Sequence, residues 1–177
     1  TGCGEVPAEE MKDILDQNGL KAFSSHIRVE AMQEDLDGVI AYNRTIGNKN
    51  IVIPGGVDVS TKEAITQTAA VINSLRPKIV DAGFNLFYHN HHREFVKIDG
   101  EYILDLLFAQ CPGLMRQLDV GWVHAGGADP ISYMKKYASS IKLLHLKNYE
   151  LGSENQRLVC DIGNGLVDMK AVVNTAR

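Results

Sequence analysis

Cysteine is scarce in this sequence and badly placed for cross-linking. Cys3, Cys111 and Cys160 are three in number, far apart, and form no CxxC pair. An odd, scattered set excludes a disulfide framework and a zinc ribbon, and reduced thiols in a cytoplasm are the expectation. Long apolar runs are also missing: none approaches membrane-spanning length, and no signal peptide is visible, so no membrane partner is expected. The sequence opens at Thr1 without a methionine, which leaves an earlier segment open. Basic residues are not in excess: 18 Lys and Arg stand against 22 Asp and Glu, for a net charge of -4 and a pI near 5.8. A nucleic-acid backbone wants a basic face, so nucleic acid is not expected as the main partner. Absent too are GxGxxG and GxxxxGK[ST], the glycine-rich turns that usually announce a nucleotide site in an open doubly wound sheet. There is no low-complexity segment and no linker.

What remains is ordinary in bulk and ordered in pattern. With 177 residues, 45% of them apolar and 23% charged, the chain is long enough for one domain with a real core. Strand-like and helix-like segments alternate along it. Helices are predicted over Glu9 to Gln17, Glu34 to Ile46, Ser60 to Ala82, Tyr102 to Gln110, Pro130 to Ala138 and Val167 to Thr175. Ser60-Thr61-Lys62-Glu63 offers a cap for the long third one, Pro77 should kink or interrupt it, and Asp129-Pro130 is a start signal for the fifth. Strands are predicted over Lys21 to Ile27, Asn50 to Ile53, Phe84 to Asn90, Leu114 to Leu118 and Ile141 to Leu146. The stretch around Gly152 and Gly163-Asn164-Gly165 reads as a polar loop.

Chemistry-bearing residues gather at the ends of these strands, where a rigid element aims its last side chains at a fixed point. Tyr88-His89-Asn90-His91-His92-Arg93-Glu94-Phe95 holds half of the six histidines, beside a carboxylate. Asp119 ends the next apolar run and His145 the one after it. His89 and His91 are two apart on a strand and face the same side, whereas His92 points the other way. Lys147 lies two beyond His145 on the same side, a cation suited to a substrate oxygen or phosphate. A lone carboxylate such as Asp119 at the end of a buried strand is costly unless it meets a cation or a partner; the plain alternative is a cap on the following loop. Glu94 reads equally as ligand or general base and as a loop carboxylate paired with Arg93 or Lys97. Trp122, the one tryptophan, is an apolar wall for a sugar ring or simple packing. His26 lines the mouth or caps its strand, and His124 is read as a loop histidine without a role.

Short apolar strands alternating with amphipathic helices imply an α/β fold with a parallel sheet covered by helices. Polar residues at several C-terminal strand ends favour a (β/α)8 barrel over the open sheet, and His26, His89, His91, Asp119 and His145 fit that layout. Five strands are legible, and the chain starts and stops on a helix. A lone barrel usually needs about 250 residues, so residues 1–177 are expected to be a single, partial barrel domain, with roughly two βα units missing before Thr1 and a closing strand after Arg177. The exposed sheet edges would then be completed by further chain or by a partner.

At this point the sequence resembles the sugar phosphate isomerase/epimerase family, the xylose-isomerase-like TIM barrels that also include inosose dehydratases and endonuclease IV. The resemblance rests on Tyr88-His89-Asn90-His91-x-x-Glu94-Phe95, Leu118-Asp119-x-x-Trp122, Ala125-Gly126-Gly127-x-Asp129-Pro130, His145-Leu146-Lys147 and Gly163-Asn164-Gly165-Leu166-Val167-Asp168, an ordered set that spans nearly the whole chain. It implies one divalent metal ion (Mn²⁺, Mg²⁺, Co²⁺ or Zn²⁺) held by Glu, Asp, His and a second Glu. Asp119 and His145 take the Asp and His roles. His89, His91 and Glu94 compete for the first; the resemblance is taken to place His91 with Asp119 and His145 on the metal, Glu94 and Lys147 in catalysis, and His26, His89 and Trp122 on the substrate. The second Glu belongs to an eighth strand that the sequence does not reach. Asn148 stands where the family often has Asp, and Trp122 occupies the place of a zinc ligand of endonuclease IV, which argues against the DNA-repair branch.

The resemblance therefore implies a sugar or sugar-phosphate isomerase or epimerase, working by proton abstraction next to a carbonyl and through an enediolate. An inosose dehydratase-type lyase is the nearest alternative, and a non-catalytic sugar-binding relative the next, motivated by His at the first-ligand position and by Asn148. Family members tend to associate, which implies a homo-oligomer without fixing its number.

Overall fold

The computed structural model describes residues 6–177; Cys3 lies outside the described residues. Five strands form one parallel sheet: β1 (Ser25–His26), β2 (Asn50–Ile53), β3 (Asn85–His89), β6 (Met115–Asp119) and β7 (Ile141–His145), in that spatial order. Between β3 and β6 lies a short antiparallel hairpin, β4 (Lys97–Ile98) with β5 (Glu101–Tyr102); a second, β8 (Asn148–Leu151) with β9 (Arg157–Cys160), follows β7. The five parallel strands follow one another in space as they do in sequence. An open doubly wound sheet reverses its order at a switch point, and no reversal occurs here. The predicted parallel sheet with intervening helices is thus the observed one.

The helices are α1 (Ala8–Gln17), α2 (Val29–Glu34), α3 (Leu36–Thr45), α4 (Lys62–Asp81), α5 (Ile103–Gln110), α6 (Val120–Ala125), α7 (Pro130–Lys136) and α8 (Met169–Ala176). Thr61 caps α4 by accepting the Ala64 N–H at 3.1 Å, and Asp129 caps α7 by accepting the Ser132 N–H at 2.7 Å, with Pro130 in the first turn. Both caps satisfy amides that have no intrahelical partner. The helix expected over Glu34 to Ile46 is α3; α2, which precedes it, was not foreseen. Asp35 separates them, because its side chain accepts the Gly38 N–H at 2.8 Å and so starts a new helix. The interruption expected at Pro77 does not occur: α4 runs through it, carried by the buried stripe Ile65, Ala69, Ile72, Leu75 and Ile79. Among the described residues no helix is long and apolar enough to cross a membrane.

The chain divides into two compact units. The first comprises Tyr88 and the residues before it, with Leu107–Met115. Its core is Ile51, Val52 and Ile53 of β2, Leu86, Phe87 and Tyr88 of β3, and the apolar stripe of α4, each of them buried. Strand pairing runs Ile51 to Leu86, Val52 to Phe87 and Ile53 to Tyr88. Unbroken apolar runs of this kind mark strands covered on both faces, and each such side chain contributes about 1.5–3 kcal/mol when fully buried.

The second unit comprises His89–Leu106 and Arg116–Arg177. Leu104, Leu118, Val120, Val123 and Val172 form its aliphatic core. Phe95 packs edge-on against Tyr102 and Tyr133, with ring centroids 5.4 and 5.2 Å away. In the β6–β7 pairing Leu118 lies beside Leu144, and Asp119 beside His145. That register brings the last residues of two strands level with each other.

Candidate metal centre

Three strand ends supply the site, and all three belong to the second unit. His89 is the last residue of β3, Asp119 of β6 and His145 of β7. The His89 Nε2 lies 3.2 Å from the Asp119 Oδ2 and 2.8 Å from the His145 Nδ1. The His145 Nδ1 lies 3.1 Å from the same Asp119 oxygen. Two imidazole nitrogens and one carboxylate oxygen therefore share a single point. Asp119 is fully buried and His89 nearly so, whereas the His145 side chain is 44% exposed.

Such a set is satisfied by a shared proton or by a cation. Donor bonds to a divalent transition metal run about 2.0–2.1 Å, which puts adjacent donors on an octahedral ion about 3.0 Å apart. The three observed separations, 2.8, 3.1 and 3.2 Å, bracket that spacing. The residues present therefore fit one ion. Among the described residues His89, Asp119 and His145 form the group able to hold it.

Asp119 does two things at once. Its Oδ2 faces the histidines, and its Oδ1 accepts the Trp122 N–H at 2.9 Å, capping α6. The short helix α6 was not foreseen, and Asp119 was expected as either ligand or cap; its two oxygens are placed for both.

His91 was grouped with Asp119 and His145, but the ring that meets them is that of His89. The ladder of β3 stops at His89, and the chain then turns into a 3-10 helix, His92–Phe95. His91 caps that turn: its N–H donates to the Glu94 Oε2 at 3.0 Å, while its side chain faces the Glu94 N–H in return. The His91 ring is displaced outward, 5.0 Å from the His89 ring and 5.8 Å from that of Trp122. Burial, and then the neighbouring His89, push the His91 imidazole below its ordinary value. Burial does the same for His145, where Asp119 pulls the other way and His89 and Lys147 add to the lowering.

Glu94 is buried, bound to the His91 N–H, and 3.6 Å from the Arg93 guanidinium. It lies outside the cluster of three. Trp122 sits in a stack, with the His92 ring 5.2 Å away and the Lys147 Nζ 4.2 Å from its centroid. A Cβ on Gly121 would come within 2.6 Å of the Lys147 carbonyl oxygen, so a side chain there would push Lys147 away from α6. His26 ends β1 in the first unit and is not one of the three donors. His124 lies in the last turn of α6 with its Nδ1 2.8 Å from the Tyr149 hydroxyl. Asn148, buried, donates from Nδ2 to the carbonyls of Ile162 and Val167 at 2.8 and 3.1 Å, and its Oδ1 accepts the Val167 N–H at 3.0 Å. A carboxylate offers no donor to those carbonyls, which explains an amide at this position.

The sequence reading passed over Asn90. A polar side chain flanked by two histidines at a buried strand end must find partners, and that was the available signal.

The sequence matches the family described as Xylose isomerase-like TIM barrel over residues 3–177. No match is found among curated proteins. Among solved structures, one similar chain is a sugar phosphate isomerase/epimerase from Parabacteroides distasonis ATCC 8503, with a TM-score of 0.81 and 21% identity, covering 97% of this chain and 64% of that one. Another is AsbF of Bacillus anthracis, described as a probable 3-DHS dehydratase, with a TM-score of 0.74 and 14% identity over 96% of this chain and 70% of that one. A third is IOLI protein with a bound zinc atom, with a TM-score of 0.67 and 16% identity over 97% of this chain and 68% of that one. At these identities the likeness is one of fold. The chain spans 64% of the length of the Parabacteroides protein.

Proposed function

This chain belongs to the xylose isomerase-like TIM barrel family, and on that premise we propose that it is a metal-dependent sugar or sugar-phosphate isomerase or epimerase. The observation that carries the reading is the convergence of the His89 and His145 nitrogens with the Asp119 oxygen on one point. His89, Asp119 and His145 would hold the ion. A set of two nitrogens and one carboxylate suits Zn²⁺, Co²⁺ or Mn²⁺ better than Mg²⁺, which prefers all-oxygen surroundings. When bound, a divalent ion supplies Lewis acidity toward a sugar carbonyl.

The chain's own residues do the rest. His91, its imidazole pushed below its ordinary value by burial, would take a proton from the carbon beside that carbonyl. Glu94 holds the His91 backbone and acts through it rather than on substrate. Trp122 is kept as an apolar substrate contact, and the Lys147 ammonium held over its ring would stabilise the enediolate oxygen. Return of the proton to the neighbouring carbon, with the hydroxyl proton passing to the former carbonyl oxygen, isomerises; protonation of the same carbon from the opposite face by a second acid epimerises. His26 is kept as a substrate contact. We read residues 1–177 as part of a single barrel domain of a cytoplasmic protein that self-associates and acts on a small sugar, without nucleic acid or membrane.

The test is turnover of a panel of aldoses, ketoses and their phosphates, with and without chelator, in the parent and in Asp119→Asn. Asparagine keeps an oxygen for the α6 cap and loses the charge on the donor. Activity should vanish in chelator and fall at least a hundredfold in the variant; full activity in either case sinks the metal role. A lyase reading draws on the fold shared with a protein described as a dehydratase. Release of an unsaturated diketone from a keto-inositol would select it instead.

A further inference from the structure

Asn90 follows His89 directly, is 1% exposed, and is aimed at neither solvent nor the donor cluster. Its Nδ2 donates to the Asp119 carbonyl oxygen at 3.2 Å, and its Oδ1 accepts the Asp119 N–H at 2.9 Å. One side-chain amide thus closes both backbone groups of one residue. β3 ends at His89 and β6 ends at Asp119, so the pair acts as an extra rung just past the last residues of two strands. Only a primary amide presents a donor and an acceptor with the spacing and planarity of a peptide group. Aspartate would set a carboxylate oxygen against the Asp119 carbonyl. Serine is too short to reach both groups, and glutamine would move the amide by one carbon.

The backbone so clamped belongs to a residue whose carboxylate points at the His89 nitrogen 3.2 Å away. Asn90 is peptide-linked to His89 and hydrogen-bonded to Asp119, so it ties two of the three donors together without touching the point they share. We infer that Asn90 is a positioning residue of the metal centre: its amide sets the separation of the His89 and Asp119 donors and thereby the affinity for the ion. This inference rests on the metal reading proposed above. Groups that orient metal ligands from behind typically contribute about 10–100-fold in affinity.

The experiment measures Zn²⁺ and Co²⁺ binding by calorimetry and by the fluorescence of Trp122, the single tryptophan, in the parent, Asn90→Asp and Asn90→Ser, with thermal unfolding of each apo protein. Val172→Ala, which opens a cavity under the buried Val172 of α8, serves as a destabilised control. Asn90→Asp and Asn90→Ser should both weaken binding by about 10–100-fold and shift the visible spectrum of bound Co²⁺. Val172→Ala should lower the melting temperature and leave affinity and spectrum unchanged. Serine is the milder change and keeps the test open if aspartate prevents folding. Parent-like affinity and spectrum in Asn90→Ser overturns the inference, as does an equal loss in Val172→Ala. A parent that binds neither ion overturns the metal reading and this inference with it, whereas a parent that binds while both Asn90 variants match it overturns this inference alone.

Discussion

Lys147 carries its ammonium 4.2 Å from the centroid of the Trp122 ring, over the electron-rich face of the indole. A partly exposed cation on a ring contributes about 0.5–1 kcal/mol, too little to be the reason for a lysine if the oxyanion role holds. Lys147→Met keeps the aliphatic stem against the indole and removes the charge. Its unfolding free energy should stay within about 1 kcal/mol of the parent, while sugar turnover drops at least tenfold. Unchanged turnover would remove Lys147 from the mechanism.

Acid should weaken the fold through His145. Burial holds its imidazole below the ordinary 6.5. As pH falls through 6.5 the unfolded chain takes its proton first, so the unfolded state gains. The stability tied to a neutral His145 is therefore complete above pH 6.5 and is lost on the way down to the lower folded value. Metal affinity follows the same sign, since a ligating imidazole must be neutral. Thermal unfolding of the apo protein between pH 8 and 5 should show a flat midpoint that declines below 6.5, with a shallower decline in His145→Asn. An equal decline in the variant would assign the effect elsewhere.

Burial also raises the Cys111 thiol to about 11. At neutral pH only roughly one part in ten thousand of such a thiol is thiolate, the reactive form. Alkylation of the folded protein followed by peptide mass mapping should therefore find Cys160 modified well before Cys111, with Cys111 catching up in denaturant. Equal rates under native conditions would contradict its burial in the first unit.

Asn148→Asp should loosen the segment between β9 and α8. The change replaces a donor by a carboxylate oxygen facing the carbonyls of Ile162 and Val167. Gly165 packs so closely that a Cβ there would meet the Asn148 Oδ1 at 2.2 Å, which leaves the new carboxylate little room to turn away. An unsatisfied buried polar group costs about 1–3 kcal/mol. The expected result is a lower melting temperature together with faster proteolysis within residues 161–167; parent-like values in both would show the network to be dispensable.

The strands were readable because Ile51–Ile53, Leu86–Tyr88 and Leu143–Leu144 are apolar runs that end abruptly, the first in Pro54-Gly55-Gly56 and the other two in His89 and His145. Asp119 and His145 follow from that punctuation and lie level in the structure. The choice between His89 and His91 was not readable. Both lie on the same side, and only the point at which the β3 ladder gives way to a 3-10 turn decides which ring faces the carboxylate. The helix α2 was missed because its start at Arg28 carries no side-chain cap, and α6 because a candidate cap at Asp119 does not by itself say that a helix follows. The β8–β9 hairpin hides in polar sequence because its connection places Glu154 and Asn155 at φ 60° and 59°, a conformation usually signalled by glycine.

Asp119 has one oxygen on an amide of α6 and the other on the two histidines. Its torsion angle is therefore set by helix formation as much as by the two histidines. Fraying of Val120–Ala125 would swing the carboxylate and dilute the donor set before any ligand is altered. Substitutions along that one short helix should thus act as a dial on ion occupancy, and the ion in turn should resist the fraying.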